Sequence, residues 1–258
     1  MVQLIQILVW IVLRIYAESW KMATDPDLYP SYHLIRVVDG DTIVVSDLEK
    51  SIRLIGIDTP EVRKVGWRNV GEFSKDASRF TKGFLKGGKV HLSLKGRDRY
   101  GRYLAHVLSE KGWLNYSLLE NGLARVYFFR DTMDYRTYFL AHAYRKAFYF
   151  RRGIFSKYES APVLKDSRNW KRFFGRIVWM EGKVRDYQKR YRYHNLDLGW
   201  ALVTIRDEEY EVMFGRMIDL EKLVGKKIRA FGELYDFHGK PYIVVRMPFE
   251  IVVEDRSR

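Results

Sequence analysis

No cysteine occurs in the 258-residue chain, which excludes a disulfide framework, a thiolate metal site and a cysteine nucleophile together. Histidine is sparse. His33, His91, His106, His142, His194 and His238 include no pair at metal-ligand spacing, so zinc is not expected and each reads as structural or exposed. Low-complexity stretches are also absent. The apolar run from Ile5 to Leu13, broken only by Gln6, falls short of the roughly 20 residues that a membrane-spanning helix needs. Arg14 follows it, then a small-residue cleavage point at Ala17. That length suits a signal-peptide core, although no basic segment leads it. Residues 1–20 are therefore expected to be a signal peptide or N-terminal anchor, making the protein secreted or anchored outside the cytoplasm. The alternative is a packed helix in a cytoplasmic protein.

What the sequence does hold is positive charge. With 46 Lys and Arg against 32 Asp and Glu the net charge is +14, which favours an acidic partner, nucleic acid first and an anionic membrane surface second. Hydrophobic residues at 47% and aromatics at 16% supply a core, so the charge belongs to a folded protein.

Short extended runs dominate the first half. Tyr32 to Val45 reads as strand, turn and strand around Asp39-Gly40-Asp41, Ser51 to Ile57 as a strand, and Lys89 to Leu94 and Arg102 to Leu108 as two more. Five strands before residue 110 suggest a small barrel. Helical spacing marks Phe73 to Leu85, Tyr116 to Gly122 and Asp134 to Arg152, the last with its aromatic residues facing the barrel and Arg136, Arg145, Lys146, Arg151 and Arg152 in water. Residues 156–170 read as a linker. Beyond it GRIVWMEGKVRDY, WALVTIR, YEVMF, KKIRAFGELYD and PYIVVRM read as five strands, with MIDLEKLVG as a short helix after the third, the order of an oligonucleotide-binding barrel over residues 171–255. The fold class expected is mainly β with α, two barrels in series.

Three segments gather acids and arginines where the first unit's strands end: VVDGDT, IRLIGIDTPE and RDRYGR. Asp41 and Asp58, side by side across a strand pair, would make with backbone carbonyls an oxygen cage suited to a hard cation such as calcium. Arg53 and Arg102 are planar forks matched to phosphate and to the charge that builds on a five-coordinate phosphorus. Glu61, three residues after Asp58, is placed to orient or deprotonate a water. Taken singly, each piece has an ordinary reading: a turn cap at 39–41, a loop entry at 59–61, a solvated strand arginine at 53, a hairpin turn at 100–101. Gly40 is expected to serve a backbone angle that other residues resist.

In this order and at these distances VVDGDT, RLIGIDTPE, DRYGR and LLENGLARVY resemble the staphylococcal nuclease, or thermonuclease, family over residues 31–155. The resemblance implies a five-stranded barrel with three helices and calcium-dependent cleavage of DNA and RNA with little sequence preference, leaving a 3′-phosphate. It implies calcium ligands at Asp41, Asp58 and the carbonyl of Thr59, phosphate arginines at Arg53 and Arg102, and Glu61 as base. It also puts Tyr100 near the bound nucleotide and Tyr127 and Phe128 in the base pocket. There the chain departs from the family, since hydroxyls expected at two pocket positions are replaced by Phe128 and Arg130.

A second nucleic-acid contact is expected in the segment from 182 to 195, where Lys189, Arg190 and Tyr191 stand among further tyrosines and cations in a loop between the second barrel's first two strands; the ordinary reading is a solvated hairpin. Single-stranded DNA or RNA is the favoured partner, with duplex allowed, and the protein is expected to be a monomer. The competing function is a non-cutting module of the same fold that binds nucleic acid or protein.

Overall fold

The structure, a computed structural model, describes residues 2–63, 70–215 and 217–254; Met1 and residue 255, outer limits of two expected segments, lie outside the described residues. The chain opens with helix α1 (Val2–Thr24). The first barrel follows: β1 (Ser31–Val37), β2 (Thr42–Val45), β3 (Ile52–Leu54), β4 (Gly56–Asp58), α2 (Ser74–Phe84), β5 (Lys89–Arg97), β6 (Tyr103–Ser109), β7 (Gly112–Trp113), α3 (Leu114–Glu120), β8 (Arg125–Tyr127) and α4 (Arg136–Tyr149). Strands run in the order β3-β2-β1-β5-β6, and a parallel pairing of β3 with β6 closes them into a five-stranded ring. Closure leaves no free edge in the ring. Alternate residues of these strands, among them Ile43, Val45, Ile52, Leu54, Val90 and Leu92, fill its interior, and Leu114 and Leu118 of α3 join the same core.

The second unit repeats the plan. It comprises β9 (Val163–Leu164), β10 (Ile177–Lys183), β11 (Asp186–Arg190), β12 (Tyr193–Asp197), β13 (Leu202–Arg206), a helical turn from Asp207 to Phe214, β14 (Lys227–Glu233), β15 (Tyr235–Phe237), β16 (Lys240–Val244) and β17 (Ile251–Glu254). In it β13 pairs in parallel with β16, and β10 pairs antiparallel with β14, as β3 pairs with β6 and β1 with β5 in the first ring.

Several expectations need correction. YEVMF is helical, not a strand: three acids, Asp207, Glu208 and Glu209, open the turn, and acidic side chains favour a helix N-terminus. The missing strand is β12, which begins in the segment read as a loop and runs two residues past it; residues 186–197 form a hairpin turning at Tyr191 and Arg192. Residues 156–170 are no free linker, because β9 pairs in parallel with β10 and Ala161, Leu164 and Trp170 are buried. On α4, Arg136 is buried instead of wet; its guanidinium donates to the Tyr29 hydroxyl and to Asp134. Arg145 reaches the carbonyls of Val212 and Met213 in the second unit.

The two units share one continuous core. Phe148 stacks on Phe249 with centroids 5.3 Å apart, and Tyr158 packs edge-on against Trp179 at 4.8 Å. Where α3 and α4 end, Gly122 and Gly153 cross backbone to backbone. A Cβ on either would lie 2.2 Å from a carbonyl oxygen of the other crossing strand, and both have positive φ, a combination only glycine supplies.

Candidate active site

Asp41 ends the turn into β2, Arg53 lies on β3, and Asp58 ends β4. The register sets Thr42 opposite Arg53, and the Asp41 carbonyl accepts from Leu54 N–H at 2.8 Å. One guanidinium joins the two acids: Arg53 Nη1 pairs with Asp41 Oδ1, while Nη2 donates to Asp58 Oδ1 at 2.8 Å and to the Ile57 carbonyl at 3.3 Å. Asp41, Asp58 and Thr59 are all buried. Thr59 fixes the second Asp41 oxygen, donating to Oδ2 from its N–H at 2.7 Å and its hydroxyl at 2.9 Å. One cation, Arg53, thus holds both carboxylates, and Asp41 Oδ1 also accepts from the Thr42 hydroxyl at 3.2 Å.

Gly40 is required here for space, not for an unusual backbone angle. Its φ is not positive. A Cβ there would sit 2.8 Å from both Thr59 Cγ2 and Oγ1 and 2.9 Å from Ala77 Cβ, contacts that would displace the threonine holding Asp41.

Arg102 enters β6, whose next residue, Tyr103, pairs with Ile52 beside Arg53. Its Nε donates to Asp98 Oδ2 at 2.7 Å, and Asp98 Oδ1 accepts from the N–H groups of Tyr100 and Arg102. Partial burial pushes the Asp98 carboxyl up, but the Arg102 and Tyr100 hydrogen bonds outweigh it and hold it below its ordinary value. The guanidinium stays one third exposed, and its charge reaches Asp39. Tyr100 projects into solvent at 65% exposure, its hydroxyl accepting from Arg99 at 2.6 Å. Glu61 is half-buried two residues past Thr59, its carbonyl accepting from Gly71 N–H at 2.8 Å.

Asp39 caps the turn, as its sequence position suggests. It accepts from Asp41 N–H at 3.1 Å. Burial pushes its carboxyl above the ordinary value, against the opposing charge of Arg53.

The expected base pocket is remodelled by the second barrel. Phe128 is 2% exposed; its N–H donates to Glu209 Oε1 and its carbonyl accepts from Arg206 Nη2, each at 2.8 Å. A ring so enclosed cannot stack on a base, and that expectation is corrected. Tyr127 is half-buried beneath two cations, with Arg206 4.0 Å and Arg246 5.3 Å from its ring centroid. Arg246 is wholly buried. Burial would push its guanidinium down, but Glu209 first and Asp58 next outweigh this and hold it above its ordinary value. Neither arginine was foreseen, since no local motif marks them and about 120 residues separate Arg246 from Tyr127 in sequence. Lys189, Arg190 and Tyr191 lie on the β11–β12 hairpin of the second barrel; Lys189 pairs with Asp207 at 3.3 Å, and Tyr191 is 89% exposed. Tyr187 of the same hairpin lies with its hydroxyl 2.8 Å from His194 Nδ1.

The donor set fits a hard divalent cation. Among the described residues no group of three His, Cys, Asp or Glu side chains could hold a metal; with two carboxylates, Asp41 and Asp58, a cation here would need further oxygens from backbone carbonyls or water. All-oxygen donors suit calcium and not zinc. The two carboxylates already share one positive charge, that of Arg53, which shows that their oxygens converge.

A family model described as staphylococcal nuclease homologue matches residues 51–157, a span that includes Arg53, Asp58, Thr59, Glu61, Tyr100 and Arg102 but not Asp41. The chain is 43% identical over 110 residues to a thermonuclease of Staphylococcus hyicus, covering 41% of this chain and 64% of that protein. It is 40% identical over 98 residues to the endonuclease YncB of Bacillus subtilis, covering 36% and 46%. With an uncharacterized endonuclease of Escherichia coli it shares 36% identity over 123 residues, 46% of this chain and 72% of the relative. The chain thus spans less than two thirds of the thermonuclease and less than half of YncB. With a closed five-stranded ring, three helices and the paired carboxylates in register, the chain belongs to the family of staphylococcal nuclease homologues.

Proposed function

We propose that the protein is a calcium-dependent nuclease that hydrolyses phosphodiester bonds of DNA and RNA with little sequence preference, acting as a monomer. The observation that carries this reading is the bridging of the buried Asp41 and Asp58 by Arg53. The names thermonuclease and endonuclease borne by its relatives support it.

A calcium ion held by Asp41, Asp58 and the Thr59 carbonyl would supply positive charge for the scissile phosphate and its water. Glu61 takes a proton from a water that attacks phosphorus in line. Arg53 and Arg102 offer N–H groups to the non-bridging oxygens, where charge grows as phosphorus becomes five-coordinate. The bond to the 5′ oxygen breaks on the opposite side, that oxygen takes up a proton from solvent, and the other fragment keeps a 3′-phosphate. Tyr100, exposed beside Arg102, packs against the nucleotide, and the exposed edge of Tyr127 borders it. Lys189, Arg190 and Tyr191 form an auxiliary contact, with the cations tracking phosphates and the tyrosine stacking on an unpaired base.

The test is incubation of single- and double-stranded DNA and of RNA with the protein in calcium and in chelator, followed by analysis of product ends. Calcium-dependent products ending in 3′-phosphate support the proposal. Binding without cleavage under every metal tried would overturn it and leave a nucleic-acid-binding module with a vestigial site.

A further inference from the structure

The N-terminal helix is the one large feature that the proposed chemistry does not use. Its C-terminal half is docked: Tyr16 and Trp20 pack edge-on against Phe139 with centroids 5.1 Å apart, Trp20 meets Tyr116 at 5.0 Å, and Ala23 is fully buried. From Ile5 to Leu13 the helix is bare. Every residue from Ile5 to Glu18 is exposed, Trp10 at 59% and Val12 at 63%, although Ile5 to Leu13 holds one polar residue, Gln6.

The distribution of that exposure identifies the occupant. Nine successive residues make two and a half turns and therefore point in every direction around the axis. A protein groove covers one stripe of a helix, as in amphipathic recognition. A helix apolar on all sides needs an apolar medium on all sides. The stretch is about 14 Å long at 1.5 Å per residue, about half of the roughly 30 Å hydrocarbon core, so it reaches into one leaflet. Consistently, no helix among the described residues is long and apolar enough to cross a membrane. At the base of the stretch the Arg14 guanidinium sits 5.2 Å from the Trp10 ring, a cation and an amphipathic ring of the kinds that settle at headgroup level. The net charge of +14 adds attraction to anionic headgroups.

We propose that α1 is an interfacial membrane anchor, which inserts Ile5–Leu13 into one leaflet of an anionic lipid surface and, through Tyr16 and Trp20, holds the first barrel beside that surface. The proposal stands on the helix alone and survives or fails independently of the nuclease reading.

Vesicle flotation of the full chain tests it, using phosphatidylcholine alone and phosphatidylcholine with about 30 mol% phosphatidylglycerol. The comparison protein carries Leu8→Glu with Val12→Glu, two exposed positions far from the barrel core and from the candidate active site. The expected result is that the wild-type chain floats with both vesicles, more with the anionic ones, and stays bound in about 1 M NaCl, where the Debye length is about 3 Å. The variant should lose flotation by at least about tenfold, as expected when charge is placed in hydrocarbon, with unchanged melting temperature and DNA cleavage. A wild-type chain left in the bottom fraction would overturn the proposal. So would flotation equal in the variant and abolished by salt, which would mean headgroup charge alone. Helix-dependent oligomers that persist with vesicles and do not float would also overturn it and assign the helix to a protein partner.

Discussion

Arg125 Nη1 donates to Glu233 Oε2 at 2.7 Å, and Arg125 is the cross-strand partner of Asp58 in the pairing of β8 with β4. The pair links the second barrel's β14 to the strand that presents a candidate metal ligand. Both side chains are buried, and the Glu233 carboxylate outweighs burial to hold the guanidinium above its ordinary value. The second barrel therefore braces the candidate active site from behind. Replacing Glu233 with Gln leaves a buried, undercompensated arginine and is expected to cost about 3–5 kcal/mol of stability, whereas Arg125→Met with Glu233→Met should cost much less. Urea unfolding of the three proteins decides this; equal losses in the single and double variants would contradict it.

In the proposed site a cation would compete with Arg53 for the carboxylate oxygens that the guanidinium pairs with. Removing Arg53 takes away the charge that bridges two buried acids, so Arg53→Ala is expected to lower the melting temperature in chelator and to show a larger calcium-induced rise than the wild type, because the stabilisation by a ligand that binds only the folded state grows with the logarithm of its affinity. Differential scanning fluorimetry over a calcium series measures both. A calcium-induced rise smaller than wild type would place the cation elsewhere.

The crowding at Gly40 gives a third expectation. Gly40→Ala drives a methyl into Thr59 and Ala77, an overpacking expected to cost about 1–3 kcal/mol and to weaken calcium binding by shifting Thr59 away from Asp41. Adding Ala77→Gly removes one of the two contacts and should restore part of the stability but less of the calcium affinity. No loss in Gly40→Ala would contradict the steric reading.

These relationships were unequally legible in the sequence. VVDGDT and IRLIGIDTPE carry Asp41, Arg53 and Asp58 on neighbouring strands, and the pairing of β2 with β3 brings these three together as the order of the motifs suggests. Phe128 escapes local pattern because its ring sits beside Gly56 and Leu140, and its backbone N–H and carbonyl are held by Glu209 and Arg206, about 80 residues away. YEVMF reads as a strand for a similar reason: five residues of mixed apolar pattern do not separate a helical turn from a strand, and the acids preceding it are the signal that decides. The linker reading failed at Trp170 and Leu164, whose burial exists only once β9 finds β10.

His106 offers a pH dependence. The imidazole is buried with neither ring nitrogen hydrogen-bonded, beside a cavity of about 10 Å³ shared with Phe128 and Leu140. Burial first, then the charges of Arg136 and Lys95, hold it well below its ordinary value. The unfolded chain therefore takes up a proton near pH 6.5 that the folded protein refuses. Stability present above pH 6.5 is lost as pH falls below it, with a slope approaching about 1.4 kcal/mol per pH unit. His194, also held low, adds loss of the same sign, so the difference between wild type and His106→Leu isolates His106. The variant should unfold with a shallower dependence between pH 7 and pH 5; an identical dependence would contradict the assignment.

The most direct test of the account compares Glu61→Gln with the wild type, measuring single-stranded DNA affinity and single-turnover cleavage in calcium on the same preparations. The account expects affinity to be retained and cleavage to fall by about 10²–10⁴, the range a positioned general base supplies. Cleavage undiminished in Glu61→Gln would contradict it and move the water-activating step to another group.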